Sequence, residues 1–140
     1  MTRGDRLSEK EKQYWIAASE DDWEVALLLV KASRFPAAVF HFQQAAEKAL
    51  KAVCLEGRRP AFTHSCVELL EKIRSMGTEV GGDLLYAARR LETQYVVSRY
   101  PNGAGSAPAD LYDETIIAEL QECARMLTSF AASKLSTKDG

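Results

Sequence analysis

The chain has 140 residues, of which 46% are hydrophobic and 27% charged, with a formal net charge of −2. That is the profile of one globular domain spanning residues 1–140, and it excludes both wholesale disorder and a polybasic, histone-like hold on nucleic acid. Apolar runs such as residues 25–30 fall far short of the ~20 residues a membrane helix needs, so no membrane partner is expected. Residues 1–7 lack the apolar stretch of a signal peptide, and three scattered cysteines (Cys54, Cys66, Cys123) give neither a disulfide framework nor metal spacing. A reducing cytoplasm is the expected location, with no metal and no cofactor.

Helical periodicity dominates from end to end. Ser8 followed by Glu11 is a capping-box pattern and predicts a helix to about Lys31, with Trp15, Ala18, Val25, Ala26, Leu29 and Val30 on one arc. Arg34-Phe35-Pro36 predicts a turn, with Pro36 opening a second helix that runs to Glu56 and stops at Gly57. Its arc of Ala38, Val39, Phe42, Ala46, Ala49, Leu50, Val53 and Cys54 marks the central helix of a bundle. Thr63 or Ser65 caps a short third helix with Cys66, Leu69, Leu70 and Ile73 inward, ending near Met76-Gly77. A fourth helix is predicted from about Asp83 to Val97, on a stripe of Leu84, Leu85, Ala88, Leu91 and Tyr95. Residues 98–110, rich in proline and glycine, form a loop long enough to suggest function. The last helix runs to about Leu135, with Ile116, Leu120, Cys123, Leu127 and Phe130 inward. Residues 1–7 and 136–140 read as frayed ends. The expected fold is all-α, an up-and-down bundle of four long helices plus one short helix.

Three features do not fit a plain core. Asp22 falls inside the apolar arc of helix one, where it needs either water between splayed helices or a cation. Arg99 ends the buried stripe of helix four. It either neutralises its own helix C-terminus or offers a fork of donors to an acid or a phosphate. The polar arc of helix two (His41, Gln44, Glu47, Lys48, Lys51) reads from periodicity as a solvated face, with Glu47–Lys51 an ordinary i,i+4 pair. His41 and His64 are the only histidines, on separate segments, and no phosphate-loop, zincin or hydrolase motif occurs. Trp15, Trp23, Phe40 and Phe42 offer more aromatic surface than one small bundle obviously covers, which points to a homodimer.

Residues 42–52 read Phe-Gln-Gln-Ala-Ala-Glu-Lys-Ala-Leu-Lys-Ala, followed by Thr63-His64-Ser65 and Ser98-Arg99-Tyr100-Pro101-Asn102. In this order the blocks resemble the small stand-alone prokaryotic HEPN-domain proteins, over roughly Glu9 to Leu135. The resemblance implies a helical bundle that pairs into a homodimer and works beside a minimal nucleotidyltransferase as a toxin–antitoxin pair. It also implies nucleotide binding or, where an Arg-x4–6-His motif is present, metal-independent RNA cleavage. By position Arg99 matches the motif arginine and Asp22 a polar residue of the first helix. The motif histidine should fall at Ala104, Gly105 or Ser106, and none of these is a histidine.

The leading expectation is therefore a dimeric module that binds a nucleotide or RNA phosphate near Arg99, with Tyr100, Asp22, Lys48 and Lys51 as further ligand-binding candidates. Asp22 and Arg99 are expected to pair across helices one and four. The alternatives are an active endonuclease, with Arg99 and a non-motif histidine (His64 or His41) as catalytic candidates, and a purely structural interaction domain. Positioned acid–base groups contribute ~10²–10⁴-fold, and without the motif histidine the family's usual route to RNA cleavage is not expected.

Overall fold

Among the described residues five α-helices form the fold: α1 (Arg3–Lys31), α2 (Phe35–Glu56), α3 (Cys66–Ser75), α4 (Gly82–Glu92) and α5 (Glu114–Lys134). The computed structural model describes residues 2–94 and 111–136, and no strand occurs among them. The all-α expectation holds. Loop 98–110, with Arg99 and Tyr100, lies outside the described residues.

α2 is the axis of the bundle. It packs against all four other helices, and every member of its predicted apolar arc is buried. Alanines at 38, 45, 46, 49 and 52 keep its surface low, so neighbouring backbones come close. α1 runs antiparallel to it. Lys12 meets Glu56 at one end, Ser19 donates to the Ala45 carbonyl at 2.7 Å in the middle, and Asp22 meets His41 beyond. Phe42, Leu50, Leu69, Leu70, Ile73, Leu91, Leu120 and Leu127 close the core. Just past the end of α5, the Ser136 amide donates to Glu56 at 2.8 Å, bringing the ends of α2 and α5 together.

Local chemistry sets the helix ends. Asp113 caps α5 by accepting from the Ile116 amide at 2.8 Å, and Ser65 caps α3 by accepting from the Glu68 amide at 3.1 Å. α1 closes with Ser33 in the left-handed region (φ 57°), while the Ser33 and Arg34 amides reach back to Val30 and Leu29. This is a Schellman-type end without the usual glycine. At the end of α2 it is Arg58 that is left-handed (φ 60°). Gly57 instead serves close approach: a Cβ there would sit 2.5 Å from Met76 Sδ.

The described residues revise the start of α1 and the continuity of α4. α1 begins at Arg3, because the ladder continues past Ser8 (Arg6 N–H already bonds Thr2 O at 3.1 Å) and no capping box is needed. α4 is interrupted by a turn at Thr93, so the helix predicted from Asp83 is not continuous, and its predicted end at Val97 lies outside the described residues. Of the four aromatic residues of the expected dimer surface only Phe42 is buried, while Trp15, Trp23 and Phe40 are half-buried. Phe42 is fully buried with Trp23 set edge-on against it at 5.3 Å, and Trp15 lies beneath Lys51. Among the described residues the exposed large apolar side chains are Tyr14, Leu28, Phe62 and Tyr86.

Candidate functional site

The polar arc of α2 is not a solvated face. It forms a seam of charged and amide groups between α1, α2 and the segment before α3, and Gln43, Glu47 and Lys51 within it are buried. Helical spacing explains the placement. His41, Gln44, Lys48 and Lys51 recur at intervals of three and four, so they line one strip beside the alanine-rich arc. Periodicity counts residue types and cannot see that these groups find one another.

Two carboxylates organise the seam. Asp22 accepts from His41 Nδ1 at 2.8 Å on one oxygen and from Lys48 Nζ at 2.5 Å on the other. Of the two readings of Asp22, the cation partner is the one found. Its side chain is 10% exposed, those of Lys48 and His41 24% and 29%. An ammonium has three donors, so Lys48 retains N–H groups after serving Asp22. In neutral imidazole, an Nδ1–H given to Asp22 leaves Nε2 as the acceptor. The expected Asp22–Arg99 pair falls outside the described residues.

Glu47 is the second carboxylate. One oxygen faces Lys51 Nζ at 3.1 Å and His64 Nδ1 at 3.3 Å, and the other accepts from Gln43 Nε2 at 3.3 Å. Gln43 also donates to the His64 carbonyl at 3.4 Å and accepts from Gln44 at 2.7 Å. Lys51 sits 5.0 Å above the Trp15 ring, a cation–π contact that adds to its salt bridge. Lys51 is thus enclosed, whereas the His64 side chain stays 69% exposed.

None of the three buried thiols is a nucleophile for such a site. Burial pushes Cys66 well up, Glu47 and Glu92 push the same way, and Lys51 only partly opposes them. Burial likewise raises Cys54 and Cys123, and the thiolate is the reactive form. Among the described residues no three His, Cys, Asp or Glu side chains come together as a metal site. No helix among them is long and apolar enough to cross a membrane.

Sequence reasoning singled out Asp22, His41, Lys48 and Lys51 but missed Ser19 and Gln43. Ser19 lies one turn before Asp22 on the same face of α1, and Gln43 one turn before Glu47. Those spacings were the available signal.

A helical bundle whose central helix carries a buried polar seam defines the class. The chain belongs to the HEPN domain family, whose model matches residues 12–135. It is 36% identical over 100 residues to the "Putative toxin MJ1304" of Methanocaldococcus jannaschii, covering 66% of this chain and 64% of that protein's length. TT1696 from Thermus thermophilus superposes with a TM-score of 0.83 at 29% identity, covering 89% of this chain and 98% of that one. ST0689, an archaeal HEPN homologue, gives 0.76 at 29% identity, also covering 89% and 98%. A HEPN domain protein of Thermotoga maritima gives 0.70 at 27%, covering 86% and 95%.

Proposed function

We propose that this chain is a dimeric HEPN module of a toxin–antitoxin-like system. It holds a nucleotide or an RNA phosphate, with Lys48 and His41 on α2 and, from the family resemblance, Arg99 and Tyr100 as its contacts, and it acts with a nucleotidyltransferase partner in the cytoplasm. The observation that carries this reading is the Asp22 cluster: an acid on α1 holding two basic side chains of α2 that remain part-exposed. A surface serving only to pack helices has no need of such a group, because apolar residues of similar volume do as well or better. Family membership and the resemblance to a protein named as a toxin support the context. Asp22 acts through its partners, Lys48 and His41 meet the phosphate, and Arg99 supplies the fork of donors suited to it. Lys51, enclosed against Glu47, serves by fixing that acid. The test is mass spectrometry of freshly purified protein. A co-purified nucleotide or RNA fragment that disappears in Arg99→Ala is the expected result; protein free of any phosphate-bearing ligand in both would count against it.

A second reading, metal-independent RNA cleavage, is favoured by one contact. The 2.8 Å Asp22–His41 bond orients an imidazole as an acid–base group requires, whereas His64 sits 3.3 Å from Glu47 on an exposed segment. Turnover of RNA in EDTA that vanishes in both Arg99→Ala and His41→Ala would establish it.

A further inference from the structure

We propose that Phe62 is a stacking platform for an unpaired base of single-stranded RNA, on a small basic patch formed by residues 57–65. The proposal rests on the phosphate-binding reading above and extends it to a base-contacting position outside the α2 seam.

Phe62 is 91% exposed, the most exposed large apolar side chain among the described residues. Burying such a ring is favourable, so a ring left in water can receive an occupant. The backbone on either side of Phe62 is held in place. Arg59 N–H bonds Cys54 O at 2.8 Å, Lys72 Nζ bonds Pro60 O at 3.1 Å and Ser65 N–H bonds Thr63 Oγ1 at 3.0 Å. Ala61, the preceding residue, packs against the core, which turns the next side chain outward.

The surroundings select the kind of occupant. Residues 57–65 (Gly-Arg-Arg-Pro-Ala-Phe-Thr-His-Ser) include two arginines and a histidine, with Glu56 and Glu68 just outside the segment and Glu56 engaged by Lys12 and Ser136. One aromatic ring amid cations is the arrangement that single-stranded nucleic acid uses, the ring taking a base and the cations the backbone. A protein interface would ask for a contiguous apolar centre, and Phe62 has half-buried Ala61 and Thr63 on either side of it. The patch is also wired to the seam. His64 bonds Glu47, the residue before Lys48 on α2, so the seam fixes one end of the loop that carries Phe62.

The experiment is fluorescence anisotropy of the full chain with a short mixed-sequence single-stranded RNA, using wild type, Phe62→Ala, Phe62→Leu and Phe62→Trp. Both Phe62→Ala and Phe62→Leu should weaken binding about tenfold, as expected for one stacked base, while Phe62→Trp retains it. An RNA carrying 2-aminopurine should lose its emission on wild type and keep more of it on Phe62→Leu. Wild-type affinity in Phe62→Leu would overturn the stacking proposal while leaving the phosphate site intact. A change of oligomeric mass in Phe62→Ala with unchanged RNA binding would overturn it in favour of a protein contact. Absence of RNA binding by the wild type would overturn the stacking proposal, while nucleotide binding by the same protein would leave the phosphate-binding reading standing.

Discussion

Asp22 and Glu47 are each served by one lysine and one histidine at salt-bridge distance, yet the two clusters do opposite things. At Glu47 the acid and its lysine are both enclosed, 3% and 8% exposed, and a buried glutamine takes the remaining oxygen. At Asp22 the acid is nearly enclosed but its lysine and histidine reach the surface. The same groups therefore build a fastener in one place and a presenting surface in the other. Burial of the cation makes the difference. An enclosed ammonium can serve only its carboxylate, whereas a part-exposed one has donors left for a ligand.

The harshest way to break this comparison is to remove each acid in turn. Glu47→Ala strands Lys51 in the interior and should cost about 3–5 kcal/mol, the penalty for an uncompensated buried charge, read by urea denaturation. Asp22→Ala leaves Lys48 and His41 able to turn to water and should cost less, about 1–2 kcal/mol. Equal losses at the two sites would erase the distinction drawn between them.

The ability to read this from the sequence was uneven, for physical reasons. The buried arc of α2, from Ala38 to Cys54, was legible because an apolar strip at 3.6-residue spacing has few other uses. Asp22 was legible as an anomaly because it interrupted such a strip. The enclosure of Glu47, Gln43 and Lys51 was not, since an interior charge differs from a surface one only by the partners around it. The early start of α1 escaped because no side chain announces it. Phe62 was passed over, a single aromatic in a loop having no periodicity to violate.

A milder sharpening concerns Glu56, which ties α1, α2 and the end of α5 together through Lys12 and Ser136. Burial pushes its carboxyl up, but the Ser136 hydrogen bonds and the Lys12 ammonium outweigh that and hold it below the usual carboxylate range. The folded state then binds fewer protons than the unfolded one, so this contribution is fully present above the ordinary titration near 4.5 and is lost as pH falls through the folded value. Glu56→Gln should cost about 1 kcal/mol at neutral pH. The gap to wild type should narrow on acidification, as followed by thermal melts across that range. Glu56 is again a fastener, and no effect on ligand binding is expected.

The smallest effect is expected at the α1–α2 turn, away from both clusters. Ser33 holds φ 57°, where a side chain is strained and glycine is not. Ser33→Gly should raise stability by about 0.5–1 kcal/mol, visible as a higher melting temperature, with both clusters undisturbed.

The division of labour is tested most directly by one binding titration on two lysine variants. With a nucleotide or a short RNA as titrant, Lys48→Met should lose about tenfold in affinity, as for one charge-assisted contact, with a smaller fall in melting temperature than Lys51→Met because His41 still serves Asp22. Lys51→Met should show the reverse, a lower melting temperature and near-normal affinity in the folded fraction. Wild-type affinity in Lys48→Met, with the loss appearing in Lys51→Met instead, would contradict the account.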